Sequence, residues 1–332
     1  MSITERQRTG AGRKLARLSI YGGVVVLLAL LPLLVRSEYV AHVFILAFIY
    51  IVASASLRTV TTSGQYPLAH GAFMGIGAYA SAVAAKLLGW PVWLTIPMGA
   101  VAAMAIGALI AWPFARLRAF YYAMVSLFFG IGVIQVIYVL TKWTSGAGGL
   151  VDIPHLLPCT SKVPYYYFFL GFMLVCLFAL WRLEYSRIGL SMKAIAQSHL
   201  VASSVGINEV RYRVLALAVG CFFVGLAGAA YGHYNYTLSP TSFDLMASMW
   251  LFIYALIGGL SSFGGPIVGA ALLVIVPELS SGLKQLIPFI SAAILLIVFY
   301  VLHDGLISLP RVMATWFKKP RPAAAGTTAE GS

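Results

Sequence analysis

Six ionisable side chains lie within or beside long apolar segments, and intramembrane acids and histidines are the groups that build proton relays. They are His42, His70, His233, His303, Asp244 and Glu278. Glu278 follows Pro277 near the end of an apolar run and Asp244 precedes one, so a role at a helix end is favoured over a relay. His70 stands beside Gly71 at an expected helix start, where capping or packing is the simpler role. An ion- or proton-coupled secondary transporter of a small polar solute stays an alternative, although none of the six side chains is placed at the middle of a predicted span.

The sequence carries no signature of an enzyme. No lysine is preceded by glycine, so the phosphate-binding loop G-x-x-x-x-G-K-[ST] cannot form. Neither H-E-x-x-H nor G-x-S-x-G occurs, which removes two common hydrolase classes. Cys159, Cys176 and Cys221 are far apart and form no C-x-x-C, so neither a metal site nor a disulfide is indicated. We therefore expect no catalytic site, no cofactor and no bound metal in this chain.

The composition is typical of a membrane protein. Of 332 residues, 61% are apolar and 9% are charged, too few charges to solvate a globular surface of this size. The net charge of +13 comes from cations that punctuate apolar runs rather than form one patch, so nucleic-acid binding is not expected. Backbone groups in lipid must be satisfied within each segment, which makes the predicted fold all-α and polytopic.

About ten segments have the length that a hydrocarbon core of ~30 Å requires of a transmembrane helix. The predicted spans are residues 20–35, 39–57, 66–88, 91–112, 119–140, 165–181, 214–236, 246–260, 265–281 and 288–304. The short segments 20–35 and 246–260 could each be a broken or interfacial helix.

Most of the 22 Lys and Arg residues lie in loops on one side of these spans: before residue 20, at Arg116 and Arg118, in segment 182–213, and from Arg311 onwards. The positive-inside rule places these loops and both termini in the cytoplasm, and residues 141–164 on the opposite side. The predicted organisation is a basic N-terminus (1–19), a transmembrane domain (20–304) and a cytoplasmic, partly disordered tail (305–332).

Glycines recur at helical spacing in several of the predicted spans. Small residues at this spacing let helix backbones approach closely in lipid. The positions predicted to pack helices or line a pathway are Gly71, Gly75, Gly77, Gly258, Gly259, Gly264, Gly265 and Gly269. Helix packing is one interpretation. The other is that residues 258–266 break the helical run to line a cavity, because irregular backbone at membrane depth survives only beside protein or water.

Segment 182–213 contains a short amphipathic stretch that cannot cross a membrane. The apolar residues on one helical face are Met192, Ile195, Ala196 and Leu200, and Gly206 can end the helix in a left-handed cap. The spacing predicts one helix over residues 191–206. It could dock into a groove of a partner subunit as a coupling helix, or rest on lipid headgroups.

Several segments, taken in order along the chain, resemble the permeases of branched-chain amino acid ABC importers, in particular the M-type subunit. They are Leu68 to Tyr79, Arg116 to Ala123, Thr144 to Leu150, Gly206 to Asn208, Leu226 to Ala229, Ser239-Pro240 and Gly258 to Ala270. The resemblance covers roughly residues 40–310, and it is the joint order that is specific. The chain departs from the family at Ala196 to His199, where relatives usually carry Arg and acidic residues.

The resemblance implies a type II permease fold in the bacterial inner membrane. It also implies a homologous second permease subunit as heterodimer partner, two cytoplasmic ATPase subunits and a periplasmic substrate-binding protein. Residues 191–206 would then be the helix that couples to an ATPase. The expected function is translocation of branched-chain or related amino acids, with ATP hydrolysed on the separate subunits.

Overall fold

The computed structural model describes residues 22–23, 25–32, 37–117, 119–157 and 161–279, with residues 292 and 296 in addition. Within these ranges the secondary structure is helical apart from one isolated β-bridge, which confirms the all-α class for this part of the chain. Residues 25–32 of the first predicted span are helical. The predicted N-terminus 1–19, nearly all of span 288–304 and the tail 305–332 lie outside the described residues.

The helices follow one another along the chain, and the longest connection within the described residues joins α5 to α6. They are α1 (Glu38–Thr61), α2 (His70–Leu87), α3 (Val92–Phe114), α4 (Ala119–Val139), α5 (Thr141–Thr144), α6 (Lys162–Glu184), α7 (Arg187–Gln197), α8 (His199–Ser204), α9 (Glu209–Asn235), α10 (Leu245–Gly258) and α11 (Gly264–Leu279). Two 3₁₀ turns, Gly146–Gly148 and Pro240–Phe243, precede the bridge and α10 respectively.

Six segments of the described chain are long and apolar enough to cross a membrane. They are α1, α3, α4, α6, α9 and the segment Pro240–Gly258 that ends in α10. Helix α11 is apolar but shorter. The predicted count of about ten spans stays a prediction.

The bundle has two ends, which we call the Glu38 end and the Thr61 end after the first and last residues of α1. The Glu38 end also carries the loop between α4 and α6, which the Lys86 ammonium reaches by donating to the Val151 carbonyl at 2.6 Å. The Thr61 end carries α7 and α8, and there the Arg213 guanidinium donates to the Ala115 carbonyl at 3.0 Å. Consecutive long helices therefore run in opposite directions between the two ends.

Side-chain caps fix the starts of several helices at the places where the sequence changes from polar to apolar. Asn208 Oδ1 accepts from the Arg211 amide at 3.1 Å to start α9, and Asp244 Oδ1 accepts from the Ala247 amide at 3.0 Å to start α10. A short polar side chain at this position satisfies an amide that has no partner within the helix. The predicted helix-end role of Asp244 is confirmed.

The centre of the bundle is built on close backbone approaches among α2, α3 and α9. A Cβ atom on Gly77 would collide with the backbone of Gly225, and one on Gly99 would lie 3.0 Å from Ser81 Cβ. Helix α4 lies outside this centre, and one of its faces is largely exposed, with Phe128 and Val139 among the outward side chains. Glycine thus concentrates where three helices meet, while bulky apolar residues face outward, where lipid replaces water as the solvent.

A β-bridge closes the Glu38 end. Leu150 and Leu238 exchange both backbone hydrogen bonds at 2.8 Å, and the Ile153 amide donates to the Tyr236 carbonyl at 3.1 Å. The loop after α4 is thereby joined to the chain that leaves α9. Tyr236 itself ends α9 in the left-handed region, with φ of 61°.

Candidate functional site

The glycines predicted in α2 all face other elements of the chain. A Cβ on Gly71 would lie 2.7 Å from Ser248 Oγ, and one on Gly75 would lie 3.0 Å from Phe243 Cβ. The Gly71 amide also donates to Ser248 Oγ at 3.0 Å. Helix α2 therefore uses Gly71 and Gly75 to hold the segment that enters α10, and Gly77, two residues further on, contacts α9.

The glycines around residue 260 form a hairpin between α10 and α11. A Cβ on Gly258 would collide with the Gly265 carbonyl, and one on Gly269 would lie 2.7 Å from the Gly258 amide nitrogen. Gly259, which ends α10, has φ of 106°, a conformation that side chains rarely adopt. Gly264 begins α11 and is half-buried. The predicted break in the helical run is present at residues 259–263, and backbone packs against backbone on both sides of it.

The single helix predicted over residues 191–206 is wrong. Two helices occupy the segment, α7 and α8, and Ser198 separates them in an extended conformation (φ −159°, ψ 109°). The Ser198 hydroxyl accepts from the Val201 amide at 3.4 Å, so it caps α8 rather than continuing α7. A serine side chain competes with the helix for such backbone partners, which ends one helix and starts the next. Gly206 follows α8 with φ of 83°.

The predicted apolar stripe is divided by this break. Met192 and Ile195 are 1% and 2% exposed and point into the chain itself. Ala196 is exposed and Leu200 is 69% exposed. Met192 and Ile195 are therefore part of the contact between α7 and the spans, and Leu200 belongs to a different surface.

That second surface is apolar and uncovered within the described chain. It consists of Leu190, Leu200, Val201 and Val205, each more than half exposed, and we call it the α7–α8 outer face. It lies at the Thr61 end, among the cations of segment 182–213. Four large aliphatic side chains this exposed on adjacent short helices are a suitable surface for burial against another molecule.

A buried ion cluster lies directly beneath α7, and sequence reasoning did not find it. The Glu184 carboxylate accepts from the Arg58 guanidinium and forms an ion pair with Lys193 Nζ at 2.8 Å. The Lys193 ammonium also lies 4.8 Å from the centre of the Tyr185 ring. Burial lowers the pKa of Lys193, and the nearby Arg58 charge lowers it further. Arg58 and Glu184 are 126 positions apart, a separation over which no sequence period indicates a contact.

The histidines of the described spans are held by hydroxyl and carbonyl groups. His233 Nδ1 lies 2.9 Å from the Pro154 carbonyl, to which it donates, and its Nε2 lies 3.0 Å from Ser81 Oγ. His70 Nε2 lies 3.0 Å from Ser56 Oγ, and His42 Nδ1 lies 2.6 Å from the Tyr234 hydroxyl. These contacts give each ring a structural bond between helices. His303 lies outside the described residues.

The chain is similar to known membrane permeases over most of its length. The family model described as the permease component of branched-chain amino acid transport systems matches residues 39–303. The chain is 26% identical to the high-affinity branched-chain amino acid transport system permease protein LivM of Escherichia coli (strain K12) over 294 residues, 80% of this chain and 69% of the relative. It is 25% identical to LivM of Salmonella typhimurium with the same coverage.

A second permease type is also similar. LivH of Escherichia coli (strain K12), likewise named a high-affinity branched-chain amino acid transport system permease protein, is 26% identical over 278 residues, which cover 75% of this chain and 87% of LivH. No solved structure matches the chain.

Proposed function

The chain belongs to the permease family of branched-chain amino acid transport systems, and on that premise we propose that it forms, with a second permease, the membrane pathway of an ATP-driven importer. The family match over residues 39–303 carries this proposal. The solute is a branched-chain or related amino acid, as the names of the relatives suggest for this family. A type II arrangement of the spans, with both termini in the cytoplasm, completes the proposed architecture.

The energy source is proposed to lie on separate subunits. The sequence has no lysine preceded by glycine and so no P-loop with which to hold ATP. Two cytoplasmic ATPase subunits would supply hydrolysis, and a periplasmic binding protein would deliver the solute. Similarity to both LivM and LivH supports a pair of related permeases, because one chain is similar to both types.

The α7–α8 outer face is proposed as the coupling surface. It lies at the end of the bundle that the positive-inside rule assigns to the cytoplasm. Leu200 is 69% exposed on it, and the buried Met192 and Ile195 hold α7 to the spans. An apolar helix face of this kind suits docking into a groove of an ATPase.

The ion- or proton-coupled alternative has less support from the described residues. Asp244 caps a helix, and the Glu278 main-chain carbonyl accepts from the Tyr39 hydroxyl at 2.6 Å near the end of α11. Both acids therefore lie at helix ends, where the sequence placed them.

Copurification tests the proposed assembly. The tagged chain is extracted in mild detergent from its own organism, and the chains that copurify are identified by mass spectrometry. We expect two ATPase subunits and a second permease, and uptake of radiolabelled leucine, isoleucine or valine into proteoliposomes that requires ATP and the binding protein. A chain that purifies alone and takes up solute in response to an ion gradient would establish the alternative.

A further inference from the structure

Glu184 joins three elements of the fold at one buried carboxylate. It is the last residue of α6, Arg58 lies in the last turn of α1, and Lys193 lies in the middle of α7. The side chains of Arg58 and Glu184 are 4% and 8% exposed. A carboxylate this deeply enclosed is stable as an anion only when cations and hydrogen bonds surround it. The cluster therefore connects two spans and the short helix that follows them.

The start of α7 is held against the end of α6. The Ser186 hydroxyl donates to the Leu183 carbonyl at 2.6 Å and accepts from the Gly189 amide at 3.4 Å. A side chain on Gly189 would collide with the Glu184 carbonyl, so α7 starts in direct contact with the end of α6. The other end of α7 packs near the loop after α1, because a Cβ on Gly64 would lie 3.3 Å from Ala196 Cα.

The two ion pairs of Glu184 differ in how easily they can open. Arg58 is enclosed by the bundle, so losing its carboxylate would leave a buried charge without a partner. Lys193 is 34% exposed and keeps the Tyr185 ring as a second partner, so water can replace the carboxylate at lower cost. The Lys193 contact is therefore the weaker of the two links between α7 and the spans, while Arg58 keeps Glu184 attached to α1.

We propose that Glu184 is a positioning residue that transmits displacement of α7 to α1 and α6 for as long as its contact with Lys193 stays closed. The inference rests on the proposed function, in which an ATPase moves α7 and α8. Glu184 touches neither solute nor nucleotide in this scheme. It sets how much of the movement of the short helix reaches the spans.

The test uses the complete importer, reconstituted in liposomes with the second permease, both ATPases and the binding protein. Lys193→Met removes the charge that can detach and leaves the Arg58–Glu184 pair intact. Lys193→Arg keeps a cation at this position that can reach Glu184. Arg211→Met is the matched control, since Arg211 is an exposed cation at the same end of the bundle, and the described residues show it in no ion pair. The readout is the number of ATP molecules hydrolysed per solute molecule taken up.

We expect Lys193→Met to retain its ATPase subunits and to raise this ratio by about twofold to fivefold, the size that a partly exposed ion pair allows. Lys193→Arg should return the ratio to the parental value, and Arg211→Met should not change it. A parental ratio for Lys193→Met would overturn the inference, and so would loss of the ATPases from that variant, because Lys193 would then be a docking residue. If the unmodified chain assembles with no ATPase, the proposed function itself fails, a different result from an assembled importer that does not respond to Lys193→Met.

Discussion

Gly258 and Gly265 approach each other so closely that neither position has room for a side chain. A Cβ on Gly258 would collide with the Gly265 carbonyl oxygen, and one on Gly265 would lie 3.0 Å from the Gly258 carbonyl carbon. The obstacle in each case is backbone, which cannot rotate away as a flexible side chain can. The hairpin between α10 and α11 therefore depends on glycine at both positions.

Replacing Gly258 or Gly265 with alanine should lower the free energy of unfolding by about 1–3 kcal/mol, the usual cost of overpacking a close contact. The measurement is the thermal midpoint of the detergent-solubilised chain, followed by size-exclusion chromatography after heating. Gly132→Ala is the matched control, because Gly132 lies on the exposed face of α4 with open space around it. Equal midpoints for Gly258→Ala and Gly132→Ala would show that the hairpin tolerates separation of its helices.

Leu200→Asp should weaken ATPase binding by about tenfold, as expected when an apolar side chain that is buried in an interface is replaced by a charge. The chain should still insert and fold, because Leu200 is 69% exposed. Ser204→Asp adds the same charge at an exposed polar position of α8 and serves as control. Binding is measured as the amount of ATPase that copurifies with the chain as the concentration of added ATPase is increased. If Leu200→Asp keeps its ATPases but binds anionic vesicles more weakly, the α7–α8 outer face rests on lipid instead.

Met192→Asp should behave differently from Leu200→Asp. Met192 lies on the inner face of α7 and is 1% exposed, so a carboxylate there would be buried without a partner. We expect loss of folded protein, measured as the monodisperse fraction in detergent, rather than selective loss of the ATPases. A folded Met192→Asp variant that lacks only its ATPases would place Met192 in the docking surface.

The orientation of the bundle can be tested by cysteine labelling after the three natural cysteines are replaced. Gly148→Cys places a thiol in the exposed loop at the Glu38 end, where a side chain meets nothing within 4 Å. Ser204→Cys places one at the Thr61 end. The positive-inside rule predicts that an impermeant maleimide labels residue 148 in spheroplasts, and residue 204 only after permeabilisation. The reverse pattern would invert the proposed topology.

His233→Leu should lower stability by about 1–3 kcal/mol, because it removes a partner of the part-buried Pro154 carbonyl and of the buried Ser81 and Thr95 hydroxyls. The Pro154 carbonyl would lose its donor and Ser81 Oγ would lose the ring nitrogen. Ser81→Ala removes one of these groups together with its contact and should cost less. Thermal unfolding in detergent compares the two, and an equal or smaller loss for His233→Leu would show that the Pro154 contact contributes nothing.

The apolar runs in the sequence predicted the long helices because length and hydropathy determine what can cross lipid. Residues 119–140 correspond to α4 (Ala119–Val139), and residues 91–112 to α3 (Val92–Phe114). The spans are apolar on all sides, so the sequence did not indicate which face of each helix is buried. Glycine spacing identified Gly77 as a packing position, but its partner, Gly225, emerged only from the structure.

Around α7 the sequence predicted neither the helix boundaries nor the buried ion pair. The spacing of Met192 and Leu200 fits one helical face, yet the Ser198 side chain interrupts the helix between them. The contact between Arg58 and Glu184 depends on how α1 and α6 are placed side by side, which no local pattern encodes. The parts that could not be predicted are thus those that depend on contacts between distant segments.

The bridge between Leu150 and Leu238 sets an order for biogenesis. The ribosome releases the loop after α4 long before α9, so Leu150 has no partner while the intervening helices are being inserted. During that interval the Lys86 ammonium can hold the loop at the Val151 carbonyl, and the Tyr165 hydroxyl can hold it by donating to the Leu157 carbonyl at 2.7 Å. The bridge that closes this end of the bundle can therefore form only after α9 has been made and Leu238 has reached the same end as Leu150.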